Sequence, residues 1–177
     1  MKIFKHFFQL DSRDCGPTCL RMIAKHYGKS YSLQGLREKC FINRDGVSLL
    51  GISEAAEQIG FRSMGVRINW DQLAKEAPLP CIVHWKQNHF VVVYKISGTG
   101  NKVKIWVADP AHGLVKYTKD EFLRCWLSDK KEGEGKGIAL PLEPGTDFYT
   151  IEDEKPDKTK FRFCFNTCAR IKVLCCR

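Results

Sequence analysis

The run QLDSRDCGPTCL, residues 9–20, decides how this chain reads. Gln9 stands six positions before Cys15, and Cys15 is followed by Gly16, Pro17 and a helical pattern. A cysteine at the mouth of a helix has the positive end of the helix dipole beside it, which favours the thiolate. A glutamine one loop upstream has amide protons to offer a developing oxyanion. These two features are half of a nucleophilic site. The other half is a base and a group to orient it.

Outward from that segment, Cys19, Leu20, Met22, Ile23 and Tyr27 fall near one face of a helix over residues 15–27, with Gly28 as its stop. Asp14 is the expected N-cap and Pro17 suits the first turn. Ser32 caps a short helix through Leu36 and Lys39, and residues 48–59 form another, ended by Gly60. The pattern then shifts towards period two. Phe61 to Ile68 alternates like a single strand, and residues 70–76 make a helical turn closed by Pro78 and Pro80. CIVHW (81–85), HFVVVYKI (89–96) and KVKIWVAD (102–109) read as strands, with SGTGN (97–101) as a hairpin turn. Thr118 and Glu121 form a capping box for a helix through Trp126, and IALPL (138–142) is a final strand. Helices first and a mostly antiparallel sheet afterwards predict an α+β fold.

The base must come from far along the chain. Five histidines are available: His6, His26, His84, His89 and His112. His26 lies about 16 Å from Cys15 along the helix axis, at the helical rise of about 1.5 Å per residue. His6 sits in the segment leading in, His84 reads as structural, and His112 has no assigned role. His89 opens the apolar strand HFVVVY, and a polar residue leading such a strand is expected at a sheet end, where sites form. Asp109 closes the next strand. With the turn centred near residue 99, His89 and Asp109 lie ten residues to either side and are expected opposite each other. A carboxylate there accepts the imidazole N–H and sets its tautomer. The candidate set is Cys15 as nucleophile, His89 as base, Asp109 as orienting acid, and Gln9 as oxyanion donor beside the Cys15 N–H.

Composition bounds the rest. The chain has 177 residues, enough for one domain with a core and a tail. No stretch approaches the roughly 18 apolar residues of a membrane helix, and Lys5, His6 and Gln9 break the apolar runs that a signal peptide needs. Nine cysteines is an odd count, and without a secretory signal reduced thiols are expected. Cys19, Cys40, Cys81 and Cys125 read as core. A redox pair of Cys15 with Cys19 lacks the C-x-x-C spacing, and zinc on Cys164, Cys168, Cys175 and Cys176 lacks a nearby histidine. The net charge of +9 reads as a solvated basic surface, with an acidic peptide or an anionic membrane face as alternatives. No basic helix or aromatic-glycine motif supports nucleic acid. Residues 1–145 are the expected domain, and 146–177 a charged linker with a basic-apolar tail.

QLDSRDCGPTCL, together with CIVHWKQNHFVVVY and VADPAHG, resembles the C39 peptidases in order and spacing over residues 1 to about 145. The resemblance implies a papain-like cysteine protease fold, with N-terminal helices packed on the sheet. It implies cleavage of a precursor's leader peptide after a double-glycine (Gly-Gly or Gly-Ala) motif, coupled to export by an ABC transporter. It assigns Cys15 as nucleophile, His89 as base, Asp109 as orienting acid and Gln9 as oxyanion donor. It implies no cofactor for the peptidase, with ATP used only by a nucleotide-binding domain, and no phosphate loop G-x-x-x-x-G-K-[ST] is present in these residues. Its implied partners are a leader peptide and the membrane and ATPase domains of a transporter. Its implied location is cytoplasmic, at the inner face of the membrane, with the tail as a juxtamembrane segment. A leader-docking module without catalysis and a thiol–disulfide exchanger are the competing readings.

Overall fold

A computed structural model describes residues 3–42, 46–128 and 135–152. The chain runs from a 3-10 turn (Ser12–Asp14) into α1 (Cys15–His26), α2 (Leu33–Lys39) and α3 (Leu49–Gln58). The sheet region follows, with β1 (Phe61–Ser63), β2 (Val66–Ile68), α4 (Trp70–Lys75), β3 (Cys81–Trp85) and β4 (His89–Ser97). It continues with β5 (Lys104–Asp109), β6 (Gly113–Thr118), α5 (Lys119–Trp126) and β7 (Gly137–Pro144). The sheet order is β1-β7-β3-β4-β5-β6, with β2 also on β7, and every pairing is antiparallel. The α+β expectation therefore holds.

The sheet is covered on both faces, which explains the unbroken apolar run of β4. Phe90 and Val92 pack with α1, α2 and α3, while Val91 and Val93 pack with Leu73 of α4 and Phe122 and Trp126 of α5. Successive residues of a strand point to opposite faces, so a strand buried on both sides is hydrophobic at every position.

Gly16 follows from the same packing. A Cβ there would come within 2.5 Å of Val47 and 2.7 Å of Ile52, so only glycine lets the first turn of α1 press against α3. Gly60 ends α3 at φ +91, where a Cβ would meet the backbone of Phe148 at 2.5 Å. Phe148 is fully buried against Phe61, so packing continues past the expected boundary at 145.

Three local expectations change. The strand over 61–68 is broken at Met64–Gly65, and its halves pair with separate stretches of β7. Strand β6 was not anticipated, because an edge strand with a half-exposed face carries weak alternation. Asp14 precedes α1 but makes no side-chain cap. The turn before α1 starts the helical path early, and Asp11 takes the capping role there, accepting from the Arg13 N–H at 3.0 Å. The capping box of Thr118 and Glu121 forms as expected, with Thr118 N–H donating to Glu121 Oε2 at 2.8 Å.

Candidate active site

Cys15 is the first residue of α1 and is only 5% exposed. It lines an open cleft of about 540 Å³ with Asp11, Ser12, Gly46, Asn88 and Phe90. One wall is the helical layer and the other the start of β4. The loop that presents Cys15 is tethered from within. Asp14, 1% exposed, accepts the Asp11 N–H at 2.9 Å and both the Nε and an Nη of Arg37 from α2. This fork-on-fork pair fixes the residue immediately before the thiol.

His89 enters from the opposite wall. Lys86 and Gln87 turn the β3–β4 hairpin in the left-handed region, at φ 48 and 65, and bring Trp85 opposite His89. The histidine therefore leads its strand at the sheet end, as expected. The predicted facing of His89 and Asp109 is shifted by two residues. Val92 pairs with Ala108, so continuing the register puts Asp109 opposite Val91. The β4–β5 connection is longer than a tight turn and displaces the register, and a bulge between Val93 and Lys95 takes back one residue of that displacement. Side chains still reach across such a diagonal. His89 Nε2 lies 2.9 Å from Asp109 Oδ1.

Asp109 is 3% exposed and its carboxylate is fully engaged. Oδ1 also accepts the Ala111 N–H at 2.8 Å, and Oδ2 lies 2.9 Å from His112 Nδ1. His6 Nε2 lies 2.8 Å from the Asp109 carbonyl. His6 is the contact that sequence reading missed, and His112, expected near the site, carried no assigned role. The short DPAHG turn, which brings residue 112 back onto 109, was the available signal for His112.

Electrostatics agree with an imidazolium–carboxylate pair. Burial works against charge on His89, but the hydrogen bond to Asp109, then the hydrogen bond and charge of Cys15, raise it from 6.5 to about 9. Burial likewise opposes ionised Asp109, yet hydrogen bonds from His89, the Ala111 N–H and His112 hold its carboxyl well below the usual carboxylate range. With Nε2 occupied by Asp109, Nδ1 is the ring nitrogen left for the Cys15 thiol.

Gln9 joins the group through its backbone, whose N–H donates to the Pro110 carbonyl at 3.0 Å. This ties the Gln9 segment to the turn after Asp109. Its Oε1 is buried with no hydrogen-bond partner in the described protein. The two ends of a planar amide are interchangeable by rotation, so this side chain is a buried polar group with hydrogen-bonding capacity unspent.

Of the other described cysteines, Cys19, Cys40 and Cys81 are core groups, whereas Cys125, expected in the core, is only partly buried at its edge. Cys19 is fully buried, donates to the Phe90 carbonyl at 3.3 Å, and is pushed well above its ordinary range by burial. That environment disfavours the thiolate exchange required of a redox pair. Burial raises Cys40 and Cys81 to about 12. His84 stacks near Phe90 and is lowered by burial, consistent with a structural role. The four tail cysteines lie outside the described residues.

A model of the Peptidase C39 family matches residues 3–129. The lactococcin-G-processing and transport ATP-binding protein LagD of Lactococcus lactis subsp. lactis is 40% identical over 158 residues, covering 83% of this chain and 22% of that protein. The pediocin PA-1 transport/processing ATP-binding protein PedD of Pediococcus acidilactici is 38% identical over 152 residues, covering 83% of this chain and 20% of that protein. The chain thus spans about a fifth of the length of these curated relatives. Among solved structures, a double glycine motif protease from an AMS/PCAT transporter, in complex with the leader peptide, superposes with a TM-score of 0.68 at 33% identity. That match covers 79% of this chain and 91% of the other. The peptidase domain of Streptococcus ComA, a bi-functional ABC transporter involved in a quorum sensing pathway, gives a TM-score of 0.66 at 32% identity, covering 80% and 99%.

Proposed function

Because this chain belongs to the Peptidase C39 family, we propose that it is the cysteine endopeptidase that removes the leader of a precursor peptide after a double-glycine motif, as one domain of an ABC exporter. The observation that carries this reading is the thiol of Cys15 at a helix N-terminus, interacting with His89, whose ring lies 2.9 Å from the buried Asp109 carboxylate. Relatives named for bacteriocin processing and transport support the export context.

The chemistry follows from the groups in place. The Cys15 thiolate attacks the scissile carbonyl carbon, forming a C–S bond and an oxyanion. Gln9 Nε2 and the Cys15 N–H donate to that oxyanion. One such donor is worth about 3 kcal/mol in the transition state. Collapse breaks the C–N bond, and His89 Nδ1 passes its proton to the leaving amine. Asp109 holds the ring and its charge throughout. A water, deprotonated by His89, then cleaves the thioester and restores the thiol–imidazole pair. No step needs a metal or cofactor, and no helix of the described residues is long and apolar enough to cross a membrane.

For the leader, we assign the apolar surface around exposed Leu50 and Met64, next to a 390 Å³ groove that includes Val66, Ile68 and Pro78. An amphipathic helix docks on such a surface through residues at i, i+3 or i+4, and i+7. The test is incubation of the full chain with a synthetic double-glycine precursor, read by mass spectrometry. Cleavage immediately after the second glycine, abolished by Cys15→Ala, is the expected result. Cleavage that survives Cys15→Ala refutes the assignment.

A further inference from the structure

Away from the cleft, one concavity collects positive charge without a carboxylate among the described residues. It has a volume of about 260 Å³ and is lined by Lys5, Arg21, Lys25, Ser30, Tyr31 and Ser32, with Phe7 completing the wall. Three cations thus come from two separate parts of the fold, the N-terminal segment and α1.

Two of the cations are held in place. Arg21 Nε donates to the Tyr31 carbonyl at 3.0 Å, and the guanidinium lies 4.3 Å from the Phe7 ring centroid. Lys25 Nζ donates to Ser30 Oγ at 2.7 Å. Arg21 and Lys25 stand one turn apart on α1, and like charges at that spacing destabilise a helix. Among the described residues, no acidic side chain lines the concavity to relieve the repulsion. Burial lowers the Arg21 guanidinium, with no carboxylate acting in the opposite direction. With Nε engaged, the terminal nitrogens of Arg21 have no partner among the described residues.

We propose that this concavity binds a phosphate group carried by a soluble ester or a lipid headgroup. A carboxylate satisfies one guanidinium fork, whereas a phosphate carries more charge and three strong acceptor oxygens, which suits a convergent arginine and two lysines. The cavity is larger than a lone phosphate and has room for the group that bears it. The site stands apart from the catalytic residues and does not depend on the peptidase reading.

The test uses the full chain and inorganic phosphate at constant ionic strength, followed by calorimetry and by amide NMR shifts of Arg21 and Lys25. Saturable binding is expected, weakened about tenfold or more by Arg21→Gln and by Lys25→Gln, since a charge-assisted hydrogen bond carries about that weight. Lys5→Gln, at an exposed position on a different segment, is expected to weaken binding a few-fold and guards against misfolding of a helix variant. Sedimentation with phosphatidylcholine vesicles, with and without phosphatidic acid, separates the two sources. Retention on the phosphatidic acid vesicles that Arg21→Gln abolishes assigns a lipid headgroup. Phosphate binding without vesicle retention assigns a soluble ester. No saturable phosphate binding, or binding undiminished in all three variants, overturns the proposal. Alkylation of Cys15 at the wild-type rate in the variants confirms that the fold is intact.

Discussion

Asp109→Asn is the sharpest test of how the site works, because it removes a charge while keeping shape. The carboxylate is buried and holds His89 at 2.9 Å. His89 is raised from 6.5 to about 9 by Asp109 first and Cys15 second, against burial that lowers it. That rise is worth about 3 kcal/mol of preference for the imidazolium, at about 1.4 kcal/mol per tenfold in proton affinity. The His89 side chain is 17% exposed, so solvent screens little of it. Asp109 is the leading cause, so losing its charge is expected to remove about 2 kcal/mol, or roughly 30-fold in kcat/KM near neutral pH. The alkaline limb of the pH profile reports deprotonation of this imidazolium. It is expected near 9 in the wild-type chain and at distinctly lower pH in the variant, because burial then acts unopposed by the carboxylate. The assay is steady-state cleavage of a double-glycine peptide across about pH 5 to pH 10. An alkaline limb that stays in place, with kcat/KM within about threefold of wild type, would refute the coupling.

Gln9→Ala is expected to lower kcat about 100-fold with little change in KM, since an oxyanion donor acts in the transition state alone; steady-state kinetics on the same peptide check it. Arg37→Ala leaves Asp14 buried and unpaired one residue before the nucleophile. The expected loss is about 2 kcal/mol in urea unfolding, below the range for fully buried pairs because the Arg37 side chain is 32% exposed. His89→Gln removes a stabilising ion pair whose pH window is set by the raised imidazole. The wild-type advantage is expected to be complete below pH 6.5 and to vanish as pH rises through about 9. Unfolding midpoints measured across that range check the sign, and an advantage that grows with pH would contradict it.

Much of this was legible because local chemistry is written in short segments. The α1 stop at Gly28, the Thr118–Glu121 box and the apolar β4 run are each decided within a few residues. What escaped was set by neighbours distant in sequence. The expected cap at Asp14 failed because the turn before α1 starts the helical path early, and that carboxylate is taken by the Asp11 N–H and by Arg37, 23 residues away. Strand β6 has little intrinsic signal and exists because β5 offers it a partner.

The sequence by itself determined the class of fold and singled out Cys15, His89 and Asp109 as the candidate nucleophile, base and acid. Each depends on residue type and on an element boundary that periodicity marks. Only the tertiary structure decided how the acid is shared. The long β4–β5 connection moves Asp109 off the facing position, the bulge after Val93 takes back one residue of that offset, and the DPAHG turn folds His112 back onto its second oxygen. Hairpin register answers to packing on both faces of the sheet, and no count of residues around a turn contains that information.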